Sequence, residues 1–358
     1  MDTRLSKEKW TLLQEGTVIP AHPLALTKSK KLDEMRQRAL TRYYMDSGAG
    51  GIAVGVHTTQ FEIRDPEIDL YKKVLKMAIE EVEHANLDRP FLKIAGICGP
   101  TDQALSEATF AKDIGYDFGL VSMGGLDLSE SEHLERVKQI AKVIPVFGFY
   151  LQPSVGGRTF SYEFWEQFAE IEGVCAIKMA PFNRYQTLDV VKAVCHSSRC
   201  NEIALYTGND DNIVVDLLTK YEFSIDGELV QKPIVGGLLG HWAVWTSKAV
   251  EQFEELRKVR NHLVLPTTLL TTATQVTDSN AALFDAAHQF KGCIAGINEV
   301  LRRQGLLSEN TCLSDHDVLS LNQSEEIDRI YVQYPHLTDD DFVEANLQKW
   351  LSKQSSVQ

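Results

Sequence analysis

The sequence predicts an α/β protein: a (β/α)8 TIM barrel followed by a helical C-terminal extension. Short apolar, β-branched segments alternate with longer amphipathic ones, the pattern of βα units around a parallel sheet. Eight such segments recur at spacings of about 25 to 40 residues, the number a closed barrel requires. The chain has 358 residues, 44% hydrophobic and 24% charged, which is the balance of a globule with a full core.

In chain order the strand candidates are Gly16–Pro20, Gly51–Gly55, Phe91–Ile97, Phe118–Val121, Val143–Tyr150, Val174–Lys178, Ile203–Thr207 and Pro233–Leu238. The helices between them carry their own signals. Asp65-Pro66 sets a capping side chain before a proline at the first helical position and predicts a helix over Glu67–Glu83. Ser129 with Glu132 is a capping-box pattern opening a helix towards Lys142. Leu188, Val191, Val194 and Cys195 form an apolar stripe ending before His196. Asp210-Asp211 reads most simply as an N-cap pair before the stripe Ile213, Val214, Leu217, Leu218, Tyr221. From about Ala243 the strands stop. Ala249–Val259 and Asn280–Arg303 read as helices, Gly305 as a terminator, Leu306–Glu325 as loop, and Thr338 with Asp341 as the start of a last helix to Lys353. The expected division is a barrel over 1–242 and a helical extension over 243–358 packed upon it.

Lys and Arg number 36 against 50 Asp and Glu, a net charge of −14. Such a surface is a poor partner for nucleic acid or an anionic membrane, where Lys/Arg must neutralise phosphates. The six cysteines are scattered, with no C-x-x-C or zinc-like spacing, as expected of free thiols in a reducing cytosol. The segment MDTRLSKEKW has no apolar h-region, and no apolar run approaches the roughly 20 residues of a membrane span. A soluble, cytoplasmic protein is the expectation.

Reactive groups of such a barrel sit at the carboxyl ends of strands. Lys178 closes the apolar strand Val174–Lys178; desolvation there favours the neutral amine, which attacks ketones, while snorkelling to solvent is the plain alternative. Tyr150 ends the neighbouring strand and either moves a proton or simply packs. Thr58 and Thr59, after the second strand, either hold a carboxylate or organise a turn. Gly237 either lets substrate approach the backbone or makes a bend. His22, His57 and His241 lack the accompanying carboxylates or H-x-H spacing of a metal site.

Tyr150 and Lys178, 28 residues apart, together with His57-Thr58-Thr59, Tyr150-Leu151-Gln152-Pro153, Ala176-Ile177-Lys178 and Gly208-Asn209-Asp210, resemble the dihydrodipicolinate synthase / N-acetylneuraminate lyase family. The likeness runs from about Val18 to Val244. It implies a Schiff-base aldolase or lyase that joins or cleaves pyruvate or another 2-oxo acid and an aldehyde, with no cofactor and no metal. Lys178 would be the nucleophile, Tyr150 the proton shuttle, Thr58 and Thr59 the carboxylate holders. The likeness also implies a homo-oligomer, dimer or tetramer. Where the family's synthases continue serine-arginine to bind the second carboxylate, this chain has Ser154-Val155; Arg158 or Arg184 would have to substitute. Met123-Gly124-Gly125-Leu126 stands where those enzymes carry a tyrosine pair. Met179, Pro181, Phe182, Trp242 and Trp245 point to a more apolar partner than aspartate semialdehyde. The competing readings are a catalytically silent homologue that binds a 2-oxo acid for regulation, and a metal-dependent barrel lyase.

Overall fold

The computed structural model describes residues 5–352. Nine strands form it: β1 (Val18–Pro20), β2 (Gly51–Val54), β3 (Leu92–Ile97), β4 (Phe118–Val121), β5 (Val146–Leu151), β6 (Val174–Ala180), β7 (Ala204–Thr207), β8 (Lys220–Ile225) and β9 (Glu228–Leu239). All but β8 run parallel, in the order β1-β9-β7-β6-β5-β4-β3-β2. The β1/β2 seam is joined by an Ala21–Ala53 bridge and by His22 N–H donating to Ala53 C=O at 2.8 Å. Eight parallel strands thus make a nearly closed barrel, the predicted TIM barrel.

Two layers of apolar contact follow from the pleat. Inside the barrel lie Ile19, Ile94, Leu120, Phe147, Phe149, Ala176 and Tyr206. Outside, between strands and helices, lie Val54, Val121, Tyr150, Ile177 and Met179. The helix Lys7–Glu15, absent from the sequence reading, packs Leu13 with the inner layer, and its Leu13 carbonyl accepts from the Tyr206 hydroxyl at 2.9 Å.

Several expected boundaries move. β8 and the first half of β9 form an antiparallel hairpin through Asp226-Gly227, both at positive φ (50° and 85°), a turn suited to the twist of paired strands. Tyr221 therefore belongs to a strand, and the helix before it is only Ile213–Leu218. Val143 ends the helix Glu130–Val143, whose Ser129/Glu132 capping box is present, instead of opening β5. Asp65 closes a 3-10 turn, and the next helix runs Tyr71–Ala85. The helix Thr246–Val259 packs on β1 as the eighth outer helix, so a division at residue 242 falls inside that βα unit.

The expected helix Asn280–Arg303 is two helices, Thr268–Leu283 and Cys293–Arg303. Asp285, Gln289 and Phe290 have positive φ, which a continuing helix cannot accommodate. Asp285 accepts from Gly292 N–H at 3.0 Å, and the Gln323 amide donates to the carbonyls of Ala282, Leu283 and Gly292. The break is therefore a built turn. Gln323 also opens a helix to Gln333 inside what reads as loop. The last helix is Asp340–Leu351, anchored by Trp350 Nε1 donating to Asp46 at 2.7 Å; Lys353 lies outside the described residues.

Candidate active site

β6 places Lys178. A bulge at Cys175 shifts the pairing of β6 with β5 so that Ala176, Lys178 and Ala180 face inward. Lys178 is opposite Phe149 on one side and Tyr206 on the other. Its side chain is 7% exposed, and the ammonium sits 4.4 Å from the Phe149 ring centroid. Burial pulls its pKa down from 10.5 to about 8, against the opposing pull of Asp210. No carboxylate among the described residues pairs with it at ion-pair range, so the amine is not locked in a salt bridge.

A cavity of about 50 Å³, several times what one water needs, opens at this lysine. Its walls are largely apolar: Phe149, Leu151, Val155, Phe182, Phe284 and Phe290. The last two come from the C-terminal turn, so the extension completes the mouth of the barrel. Phe290 meets Phe182 edge-on at 5.5 Å. The polar groups facing the cavity are Lys178, His57, Thr58, Gln152 and Asp210.

Of the predicted residues, Thr58 and Lys178 meet there. The loop after β2 is a 3-10 turn, His57–Thr59. Thr59 is spent on holding it: its hydroxyl donates to His22 C=O at 2.6 Å and accepts from Gly55 and Val56 N–H. Thr58 donates to the same carbonyl at 3.3 Å and borders the cavity. The amides of His57 and Thr58 carry no hydrogen bond among the described residues. Two unpartnered donors beside a lysine are a natural seat for a carboxylate.

Tyr150 is not brought to Lys178. It pairs with Met179, one residue out of phase, and a one-residue shift reverses the face. Its ring lies in the outer layer, 4.9 Å from Trp165 and 6.2 Å from Phe160, with the hydroxyl towards the Phe160 backbone. Gly237 does not border the cavity either: a Cβ there would meet the Trp242 ring at 2.6 Å. Gly208 and Gly240 are the glycines that border it. Trp242 and Trp245 line a separate cavity against the helix Thr246–Val259. Arg158 turns away to Leu128 C=O, and Arg184 pairs with Asp216, so neither replaces the missing arginine.

Four further residues build the site. Asp210 is 5% exposed and borders the cavity, while Asn212 takes the N-cap position. Its Oδ1 accepts from His241 N–H at 2.8 Å; burial raises its pKa from 3.8 to about 7. Asn209 holds the loop by accepting from Phe182 N–H and donating to Thr187 and Asp216. His57 is kept neutral, its pKa lowered to about 4 by burial and then by the Lys178 charge, and its ring nitrogens have no hydrogen bond among the described residues. Gly208 makes room for the lysine, since a Cβ would lie 2.5 Å from Lys178 Cε. The glycine-asparagine-aspartate run was the available signal for Asp210 and Gly208. His22 is structural, bonded to Pro23 C=O and Thr41. Among the described residues no group of three His, Cys, Asp or Glu is placed to hold a metal ion, and no helix is long and apolar enough to cross a membrane.

No family model and no curated relative matches the chain. Solved structures do. Dihydrodipicolinate synthase from Bacillus clausii superposes with a TM-score of 0.73 at 15% identity, over 90% of this chain and 98% of that one. The same enzyme from Oceanobacillus iheyensis gives 0.71 at 16% identity, over 92% and 99%. N-acetylneuraminate lyase from Fusobacterium nucleatum, complexed with pyruvate, gives 0.69 at 15% identity, over 90% and 98%. The protein has their fold.

Proposed function

We propose that this barrel is a class I aldolase or lyase that joins or cleaves a 2-oxo acid, pyruvate being the simplest, and an aldehyde through a Schiff base on Lys178. The observation that carries the reading is the lysine itself, buried in the barrel mouth, in no ion pair with the described residues and open to a cavity. Loss of hydration disfavours its ammonium form, and the neutral amine is the nucleophile an imine requires. The 2-oxo acid's carboxylate would lie on the amides of His57 and Thr58, with the Thr58 hydroxyl beside them. The imine nitrogen then draws electrons from C3, so carbon–carbon chemistry proceeds on the chain's own groups.

The second substrate would enter against Val155, Phe182, Phe284 and Phe290. These walls offer no cation for another carboxylate, and burying that charge unpaired is costly. An uncharged aldehyde fits; aspartate semialdehyde does not. Gln152 borders the cavity, its side-chain amide has no hydrogen bond among the described residues, and it would bind the carbonyl or hydroxyl oxygen of that aldehyde. The absence of Tyr150 from the cavity supports one second reading, a silent homologue that binds the 2-oxo acid for regulation.

The test is incubation with pyruvate and borohydride followed by peptide mass spectrometry, then turnover with a panel of aldehydes. A reduced adduct on Lys178, with turnover of uncharged aldehydes, supports the enzyme. Pyruvate-dependent stabilisation without adduct or turnover supports the silent binder. An adduct on Lys93 or Lys232 refutes the assignment of Lys178.

A further inference from the structure

Tyr150 faces the outer layer, so the chemistry proposed for Lys178 lacks its expected proton carrier. The cavity offers two groups in its place, Asp210 and His57. We infer that Asp210 is the general acid and base of the Schiff-base cycle, exchanging protons with the lysine nitrogen, the departing water and C3 of the 2-oxo acid. This rests on the proposed imine at Lys178.

The geometry is asymmetric in a useful way. One carboxylate oxygen of Asp210, Oδ1, is fixed by His241 N–H at 2.8 Å. The other carries no hydrogen bond among the described residues, and the residue borders the same cavity as Lys178. The carboxyl is thus held at one end and available at the other. Facing it are Lys178 on β6, Asp211 beside it, His57 on the loop after β2, His241 after β9 and Cys293 on the helix Cys293–Arg303. Cys293 is no rival, because burial drives its thiol pKa far up. His57 is the weaker base, being held neutral well below pH 6.5. Asp210, with its pKa raised towards neutrality, suits proton transfer in both directions.

The steps up to the new carbon–carbon bond balance with these groups alone, and water then releases the product by the reverse of imine formation, restoring the amine and the acid. The cycle starts from the Lys178 amine and the Asp210 carboxylic acid. Nζ attacks C2, a C–N bond forms, and the carbonyl π pair moves to oxygen. Asp210 relays one proton from nitrogen to that oxygen, which leaves a neutral carbinolamine. The carboxylic acid then protonates the hydroxyl, the C–O bond breaks, and water departs, leaving an iminium and a carboxylate. That carboxylate removes a proton from C3, and the C–H pair becomes the enamine double bond. Asp210 is again the acid, ready to protonate the aldehyde oxygen as the new carbon–carbon bond forms.

The experiment follows pyruvate methyl exchange in D2O by NMR, with borohydride trapping in parallel, for wild type, Asp210→Asn and His57→Gln. Asparagine keeps an oxygen for His241 N–H, so the loop retains its anchor. The expected result is exchange reduced by 10²-fold or more in Asp210→Asn, with the Lys178 adduct still formed, more slowly. Wild-type exchange in Asp210→Asn overturns the inference, and loss in His57→Gln alone gives the role to His57. Should the asparagine variant not fold, the wild-type profile at saturating pyruvate, where the iminium is already formed, decides: exchange rising as a carboxyl ionises near pH 7 supports Asp210, and a flat profile between about pH 5 and 9 overturns it. Absence of both adduct and exchange in wild type overturns the imine reading itself, and this inference with it.

Discussion

Replacing Gly208 by alanine should cripple Lys178 without unfolding the protein. Gly208 follows β7, and an added Cβ would lie 2.5 Å from Lys178 Cε, 2.9 Å from its Cγ and 2.9 Å from the Ala180 Cβ. Carbon pairs prefer about 3.5–4.0 Å, so three contacts fall short by roughly an ångström. The backbone there is not at positive φ, so alanine brings no backbone strain of its own. Ala180 Cβ cannot rotate away, but the lysine chain can. The overlap is relieved by moving Lys178 off its rotamer, at about 0.5–1.5 kcal/mol, or by shifting backbone, at about 1–3 kcal/mol. Either way Nζ is displaced by about 1 Å, a misplacement that costs on the order of 10²-fold in rate. The assay pairs the rate of borohydride trapping with pyruvate against the urea midpoint. Trapping should fall about 10²-fold while stability drops by no more than about 3 kcal/mol. Wild-type trapping in a folded Gly208→Ala protein would show that Lys178 does not reach substrate past Gly208, and the site as drawn would be wrong.

Tyr150→Phe should leave pyruvate exchange and turnover within about threefold of wild type, far below the 10²-fold expected of a positioned acid/base; a 10²-fold loss would return the proton shuttle to Tyr150. Thr59→Val removes one donor and one acceptor that hold the turn, and should lower stability in urea by about 2–4 kcal/mol. Thr58→Val should instead weaken 2-oxo acid binding, by about 1–3 kcal/mol, read by titration; the opposite pattern would mean the two hydroxyls are exchanged in role. Lys178 titrates near 8 folded and 10.5 unfolded, so between those values the unfolded chain binds the extra proton. Wild-type stability therefore gains from this group as pH rises from about 8 to 10.5. Lys178→Met should exceed wild type most below pH 8, with the margin closing across that window; a constant margin would place the lysine in solvent.

The barrel was legible in the sequence because its units are local. Each strand announces itself by a short β-branched run and each helix by a stripe or a cap, as Ser129 and Glu132 do. The hairpin Lys220–Pro233 was also written there, in Asp226-Gly227 between alternating residues, but its exposed face weakened the apolar signal. Lys178 and Thr58 could be found from strand ends alone, since in a barrel the mouth lies at the carboxyl ends. What sequence could not decide was phase. Tyr150 and Lys178 both end strands, yet the Cys175 bulge sets the register so that Phe149, not Tyr150, shares the lysine's face. Register depends on pairing between strands, and no residue carries it alone. The same holds for what closes the site. Phe284 and Phe290 lie more than a hundred residues after Lys178 and reach it only because the helix breaks at Asp285. Asp210 resembled a cap by its neighbours, and tertiary packing made it a buried carboxyl by bringing His241 N–H to one oxygen and the cavity to the residue. Local chemistry fixed which elements form; long-range packing fixed which side chains meet.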